Sequence, residues 1–169
     1  MRHRTTSLGT TRLLVFTAVL GLLFASCGGT PEKKYTIGVV NYQQVLDPVL
    51  DGFKVRMAEL GYAEGRNIAY VYHGAVAPEP KVVDGEVRGL LAQKVDLLLT
   101  MGTLPTRMAK QAVEGTNVPV VFGPVINPVD EGLVESITRP GGNVTGVQNG
   151  TTIPKALEWL HKKIGRAHV

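Results

Sequence analysis

Three stretches place side chains of useful chemistry beside turns: Asn41 to Asp47, Gly102 to Pro105, and Gly123 to Asp130. In the second, Thr103 stands where an N-cap would, ahead of backbone N–H groups without helical partners. Such a helix start suits an anionic ligand group, for example an amino-acid carboxylate. Capping alone explains the same threonine. In the first stretch, Tyr42 suits stacking on a ligand ring. Catalytic alternatives lack their parts. The chain has no G-x-S-x-G elbow, no G-x-x-x-x-G-K-[ST] phosphate loop and no H-E-x-x-H pair. Of the histidines, His3 lies in the basic amino-terminal segment, His73 ends a strand, His161 sits beside two lysines, and His168 is next to last. Asp47 and Asp51, one helical turn apart, ease a helix start rather than perform acid–base work. The single cysteine excludes a disulfide framework and a cysteine-based zinc site. Neither a metal nor a cofactor is expected.

That cysteine has another use. Arg2, Arg4 and Arg12 precede an apolar run, Leu13 to Ala25, too short for a membrane-spanning helix. A basic head, a short apolar stretch and small residues at its end make an export signal. Phe24-Ala25-Ser26-Cys27 resembles a bacterial lipobox, with Phe24 where leucine is usual. Cleavage before Cys27 would free a thiol to take a diacylglyceryl group, and the added acyl chains suffice for stable attachment. The formal charge of +4 comes from 18 basic and 14 acidic residues, and removing the three signal arginines leaves 15 against 14, or +1. No basic patch is left to argue for nucleic acid. The mature protein is expected outside the cytoplasmic membrane, lipid-anchored there or in the periplasm, with the outer membrane a further possibility.

The elements that must position these loops alternate. Strands are predicted at Tyr35–Val40, Ile68–Tyr72, Asp96–Met101, Val118–Phe122 and Asn143–Val147. Helices are predicted from Pro48 to Leu60 with Val49, Phe53, Met57 and Leu60 inward, from Pro80 to Gln93 with Val83, Val87, Leu90 and Leu91 inward, from about Pro105 to Val113, and from Val129 to Ile137. This order indicates an α/β fold, a parallel sheet with helices on both faces. Such sheets bind ligands beyond the carboxyl ends of their strands, where strand order reverses. The three loops lie at those ends.

Tyr35 to Val40, Gly52-Phe53 through Leu60-Gly61-Tyr62, and Glu64-Gly65-Arg66-Asn67-Ile68 resemble the opening of the bacterial ABC-transporter substrate-binding family that includes tryptophan-binding-like lipoproteins. The likeness continues through Asp96 to Thr103, Val118 to Phe122, Asn127-Pro128-Val129, Gly132-Leu133-Val134 and Arg139 to Val147. It implies a type I periplasmic-binding-protein-like fold of two α/β lobes joined by a hinge, of which this chain is the amino-terminal lobe. It also implies a small-molecule ligand, an amino acid or related compound, captured between the lobes and delivered to an ABC permease by a non-enzymatic, monomeric protein. By position, the resemblance places Tyr42 and Gln43 in the first cleft loop, Thr103 and Leu104 in the second, and Asn127 in the third. Asn127 replaces the family's usual aspartate, which removes a charge that could pair with a ligand amine.

The expected organisation is a lipoprotein signal at 1–26, a polar tether at 27–34, the binding lobe at 35–150 and a helix approaching the hinge at 151–163, bearing Ala156, Leu157, Trp159 and Leu160. The second lobe that the resemblance implies is expected to be missing. Residues 164–169, Ile-Gly-Arg-Ala-His-Val, resemble a translated sequencing adapter, so the chain is expected to be a fragment with a non-native tail. Two other functions fit an exported α/β fold: an extracytoplasmic ligand-sensing domain and, with less support from motifs, an α/β enzyme.

Overall fold

The computed structural model describes residues 33–150. The signal segment, Cys27, the helix expected at 151–163 and the tail at 164–169 lie outside the described residues. Five strands form one parallel sheet: β1 (Tyr35–Asn41), β2 (Ile68–Val71), β3 (Leu97–Met101), β4 (Val120–Val125) and β5 (Val144–Gln148). Their order is β2-β1-β3-β4-β5. Three helices connect them, α1 (Asp47–Glu59), α2 (Pro80–Ala92) and α3 (Thr103–Ala112).

Handedness sorts the helices between faces. The connection from β1 to β2 runs one way across the sheet, whereas β2 to β3 and β3 to β4 run the other way. Right-handed crossovers therefore put α1 on one face and α2 and α3 on the opposite one. The two core clusters follow this division. Leu50, Phe53 and Met57 of α1 pack with Ile37, Val39, Leu99 and Met101. Val83, Val87 and Leu90 of α2 and Ala109 of α3 pack with Val40, Leu98, Val120 and Phe122. Val83, Val87 and Leu90 are fully buried, each worth about 1.5–3 kcal/mol by transfer from water. Gly38 lets α2 approach, because a Cβ there would lie 3.2 Å from Leu90 Cβ.

The alternating α/β reading holds, with four differences. In α1 Phe53 and Met57 face inward as expected, together with Leu50, whereas Val49 and Leu60 are exposed. Helix α3 starts at Thr103 rather than Pro105. Strand β4 begins after Pro119 and runs on to Val125, so the third loop starts at Ile126 instead of Gly123. The helix expected at Val129–Ile137 is a series of turns. One helical bond forms, Glu131 N–H to the Asn127 carbonyl, and then Gly132 turns left-handed at φ +65°. Beyond it Glu135 N–H donates to Pro140 and Ser136 N–H to Arg139, so the ladder has nothing to propagate along. Leu133 and Val134 of this segment still cap the α2–α3 face.

Coverage of the two faces is unequal. Among the described residues, α1 is the only helix on its face. Beside it, Val49, Phe53, Leu99, Val121 and Val147 line an apolar groove of about 320 Å³.

Candidate functional site

Strand order reverses between β1 and β3, which pair in parallel from Ile37–Leu97 to Asn41–Met101. Both strands end at the same level, and the loops that follow diverge to opposite faces. A depression opens there of about 220 Å³, with Tyr42, Gln43 and Leu46 from the first loop and Gly102 and Thr103 from the second. Pro124 and Ile126 close one side, and Asn149, just past β5, contributes from the edge. Its volume is below the roughly 300–1,000 Å³ of sites that enclose a small ligand. A larger hollow of about 650 Å³ lies between Arg107, Lys110, Glu131 and Asn143. Asn143 precedes β5, so that hollow belongs to the amino end of the sheet, away from the switch point.

The first wall is built by Asn41, the last residue of β1 and fully buried. Its side-chain oxygen accepts from Gln43 N–H at 3.0 Å, and its Nδ2 donates to the Gln43 carbonyl at 2.9 Å. This two-point clamp fixes the backbone on either side of Tyr42. A 3₁₀ turn, Gln44–Leu46, then leads into α1. Tyr42 reaches across to Gly102, whose Cβ, if it had one, would lie 2.5 Å from Tyr42 Cε1. Gly102 has φ +95°, a conformation open to glycine.

The second wall corrects one expectation. Gly102, not Thr103, occupies the N-cap position of α3, and Thr103 is its first helical residue. Capping therefore does not explain Thr103, which lines the depression. Stitching of strand to helix falls to Thr106. Its hydroxyl donates to the Gly102 carbonyl at 2.7 Å and lies 2.9 Å from the Thr100 hydroxyl, both threonines fully buried. Pro105 offers no N–H, so the open donors of this helix start are the backbone N–H groups of its first two residues.

The five residues expected at the site do not all meet. Tyr42, Gln43 and Thr103 line the depression. Leu104 instead packs its side chain against the α2–α3 core. Asn127 stands outside the lining with φ +50°, a left-handed position asparagine tolerates, because β4 runs three residues further than expected. Ile126 takes its place, 56% exposed. Leu46, Pro124 and Asn149 carried no motif; Asn149 is placed by a long-range bond from its N–H to the Val125 carbonyl.

No side chain in the lining carries a charge at neutral pH, so the α3 amino terminus is the local source of positive potential. Behind the first wall, burial pushes the Tyr72 phenol above its usual pKa, and a hydrogen bond to the Asp47 carboxylate adds to the shift. His73 pairs on the surface with Glu86 at 2.8 Å, away from this depression, as a structural contact. Among the described residues no cluster of histidine, cysteine and carboxylate side chains could hold a metal, and no helix is long and apolar enough to cross a membrane.

Comparison with known proteins agrees with this geometry. A tyrosine-binding protein from Clostridioides difficile (strain R20291) is 31% identical over 144 residues, which cover 79% of this chain and 40% of that relative. The ligand-free, open structure of a substrate-binding protein with adhesive properties from Clostridium difficile superposes with TM-score 0.62 at 27% identity, covering 76% of this chain and 42% of that one. An ABC domain in complex with L-Trp from Streptococcus pneumonia gives TM-score 0.60 at 26% identity, over 69% and 39%. A conserved domain protein from Vibrio cholerae shares the fold at TM-score 0.65 and 24% identity, covering 77% of this chain and 43% of that one. This chain thus spans less than half the length of each of these relatives. The profile described as ABC transporter substrate binding protein matches residues 37–168. On that match and the switch-point geometry together, the chain belongs to the ABC transporter substrate-binding protein family.

Proposed function

We propose that this chain supplies one wall of the ligand cleft in a solute-binding lipoprotein of an ABC import system. The observation that carries the reading is the depression at the β1/β3 switch point, walled by Tyr42, Gln43 and Thr103. The ligand is a small molecule with an anionic group and a flat portion, an amino acid or close relative. Its carboxylate sits at the start of α3, against the N–H groups of Thr103 and Leu104, and its flat portion lies by Tyr42. The uncharged lining leaves a ligand amine to be met by the opposite wall. A second lobe, joined through a hinge, closes over the ligand and excludes water, and the loaded protein hands it to a permease. The coverage of less than half of each relative supports reading the chain as one lobe of a longer polypeptide. Binding rather than chemistry is the task, performed as a monomer tethered outside the cytoplasmic membrane by lipid on Cys27.

Calorimetric titration with L-tyrosine, L-tryptophan and a panel of other free amino acids tests the binding claim. Heat of binding in the gene product that carries both lobes, lost or weakened by Thr103→Val, is the expected result. Absence of heat across the panel would overturn it. Cys27→Ser should abolish palmitate labelling, and a labelled serine variant would remove the lipoprotein reading.

A further inference from the structure

The first wall of the depression is held from behind by groups that do not line it. Asn41 is clamped to both backbone groups of Gln43, but an amide can be turned end for end. The Gln43 N–H and carbonyl already oppose that reversal, and Asp47, the first residue of α1, adds to them, its Oδ1 accepting from Asn41 Nδ2 at 2.9 Å. Reversed, the amide would set its oxygen against that carboxylate and against the Gln43 carbonyl, and its NH₂ against the Gln43 N–H. Asp47 is itself oriented. The Tyr72 hydroxyl, one residue beyond β2, donates to the same Oδ1 at 2.6 Å. Three chain segments separated by up to 31 residues thus converge on one buried amide. The charge-assisted bond from the phenol belongs to the stronger class of hydrogen bonds. It lies where burial makes an unmade bond costly.

We propose that Asp47 and Tyr72 are positioning residues for ligand recognition: through Asn41 they fix the loop that presents Tyr42 and Gln43 to the cleft. This rests on the reading of the β1/β3 depression as the binding wall. Affinity then depends on a phenol on the far side of β1 that touches no ligand. Tyr70 supplies an internal control, two residues earlier, because its buried hydroxyl has no hydrogen-bond partner. Removing that hydroxyl leaves the Asn41 clamp intact.

The test compares Tyr72→Phe, Tyr70→Phe and Asp47→Asn in the full chain by amide hydrogen exchange. Tyr72→Phe should speed exchange at the Gln43 N–H by about tenfold, the effect of weakening one part-buried bond. Exchange at the Leu98 N–H, bonded to Pro119 inside the sheet, should hold within about twofold. Tyr70→Phe should leave both sites unchanged. Asp47→Asn, which keeps an acceptor oxygen, should fall between wild type and Tyr72→Phe. Equal acceleration at Gln43 and Leu98, or none at Gln43, would overturn the proposal. L-tyrosine and L-tryptophan titrations form the second arm. Wherever wild type binds either, Tyr72→Phe should weaken it at least about fivefold while Tyr70→Phe does not, and equal affinity in the two variants would also overturn it. A wild type that binds neither amino acid counts against the ligand reading, and the exchange result alone then decides the positioning role.

Discussion

Replacing Gly102 by alanine would put a methyl group where the Tyr42 ring lies. The backbone at φ +95° and ψ 170°, a region essentially confined to glycine, costs an L-residue about 1–3 kcal/mol. A Cβ 2.5 Å from Tyr42 Cε1 must also drive the ring from its rotamer, at about 0.5–1.5 kcal/mol. Alanine narrows the unfolded ensemble and offsets about 0.4–1 kcal/mol of this. The net loss is then about 0.5–4 kcal/mol, or roughly 2–20 °C in Tm for a domain of this size. Urea melts followed by circular dichroism would measure it, with constant m as the check on two-state behaviour. The decisive comparison is a double-mutant cycle with Tyr42→Ala. If the ring is what the methyl meets, Gly102→Ala becomes milder by about 0.5–1.5 kcal/mol once the ring is gone. A Gly102→Ala variant within about 0.5 kcal/mol of wild type, or one equally damaging with and without the ring, would refute the close approach of the two loops.

Three other outcomes follow from the same geometry. Thr106→Val leaves the buried Thr100 hydroxyl without its partner and the Gly102 carbonyl with only the Thr106 N–H, and should cost about 1–3 kcal/mol, read as a lowered urea midpoint. Gly146→Ala would drive a Cβ onto the Phe122 carbonyl of the neighbouring strand and should lose about 1–3 kcal/mol, whereas Gly142→Ala, facing open space, should stay within about 0.5; the reverse ranking would disprove the tight β4–β5 approach. Burial raises the phenols of Tyr70 and Tyr72, helped by the Glu64 charge at Tyr70 and by the bond to Asp47 at Tyr72. Above about pH 10 the unfolded chain therefore holds fewer protons than the folded one, and stability falls as pH rises through the folded values. Tyr72→Phe should shrink that alkaline loss, and an unchanged slope in pH-dependent urea melts would count against the raised phenol.

What could be read from the residues depended on how local the signal was. Helix α2 was legible because Pro80 opens it and Val83, Val87 and Leu90 form one stripe with no competing row. In α1 two apolar rows cross at Phe53 and Met57. Val49–Phe53–Met57–Leu60 and Leu46–Leu50–Phe53–Met57 are both helical, and the sheet below decides for the second by burying Leu50. Segment 129–137 carried helical spacing, yet its buried pair Leu133–Val134 is held by a left-handed glycine and by turns closed from residues 139 and 140. Those partners lie outside any local window. The site divides the same way. Tyr42 and Thr103 follow from loops at strand ends, which a βαβ pattern predicts, and Gln43 from the family resemblance. Asn149 and Pro124 arrive through strand order and the extra length of β4, and the Asp47–Tyr72 bond joins residues that only the folded sheet brings together.

The open groove beside α1 bears on where this chain can be cut. Val147, 68% exposed, stands on its wall, and β5 is the last strand of the sheet among the described residues. A piece ending at Gly150 would show an uncovered oily surface and a bare row of backbone donors and acceptors side by side. Chains with that pairing of features stick to copies of themselves. Its behaviour in a test tube would then be governed less by the β1/β3 depression than by that seam. Choosing an expression boundary becomes a question of whether that seam is left bare.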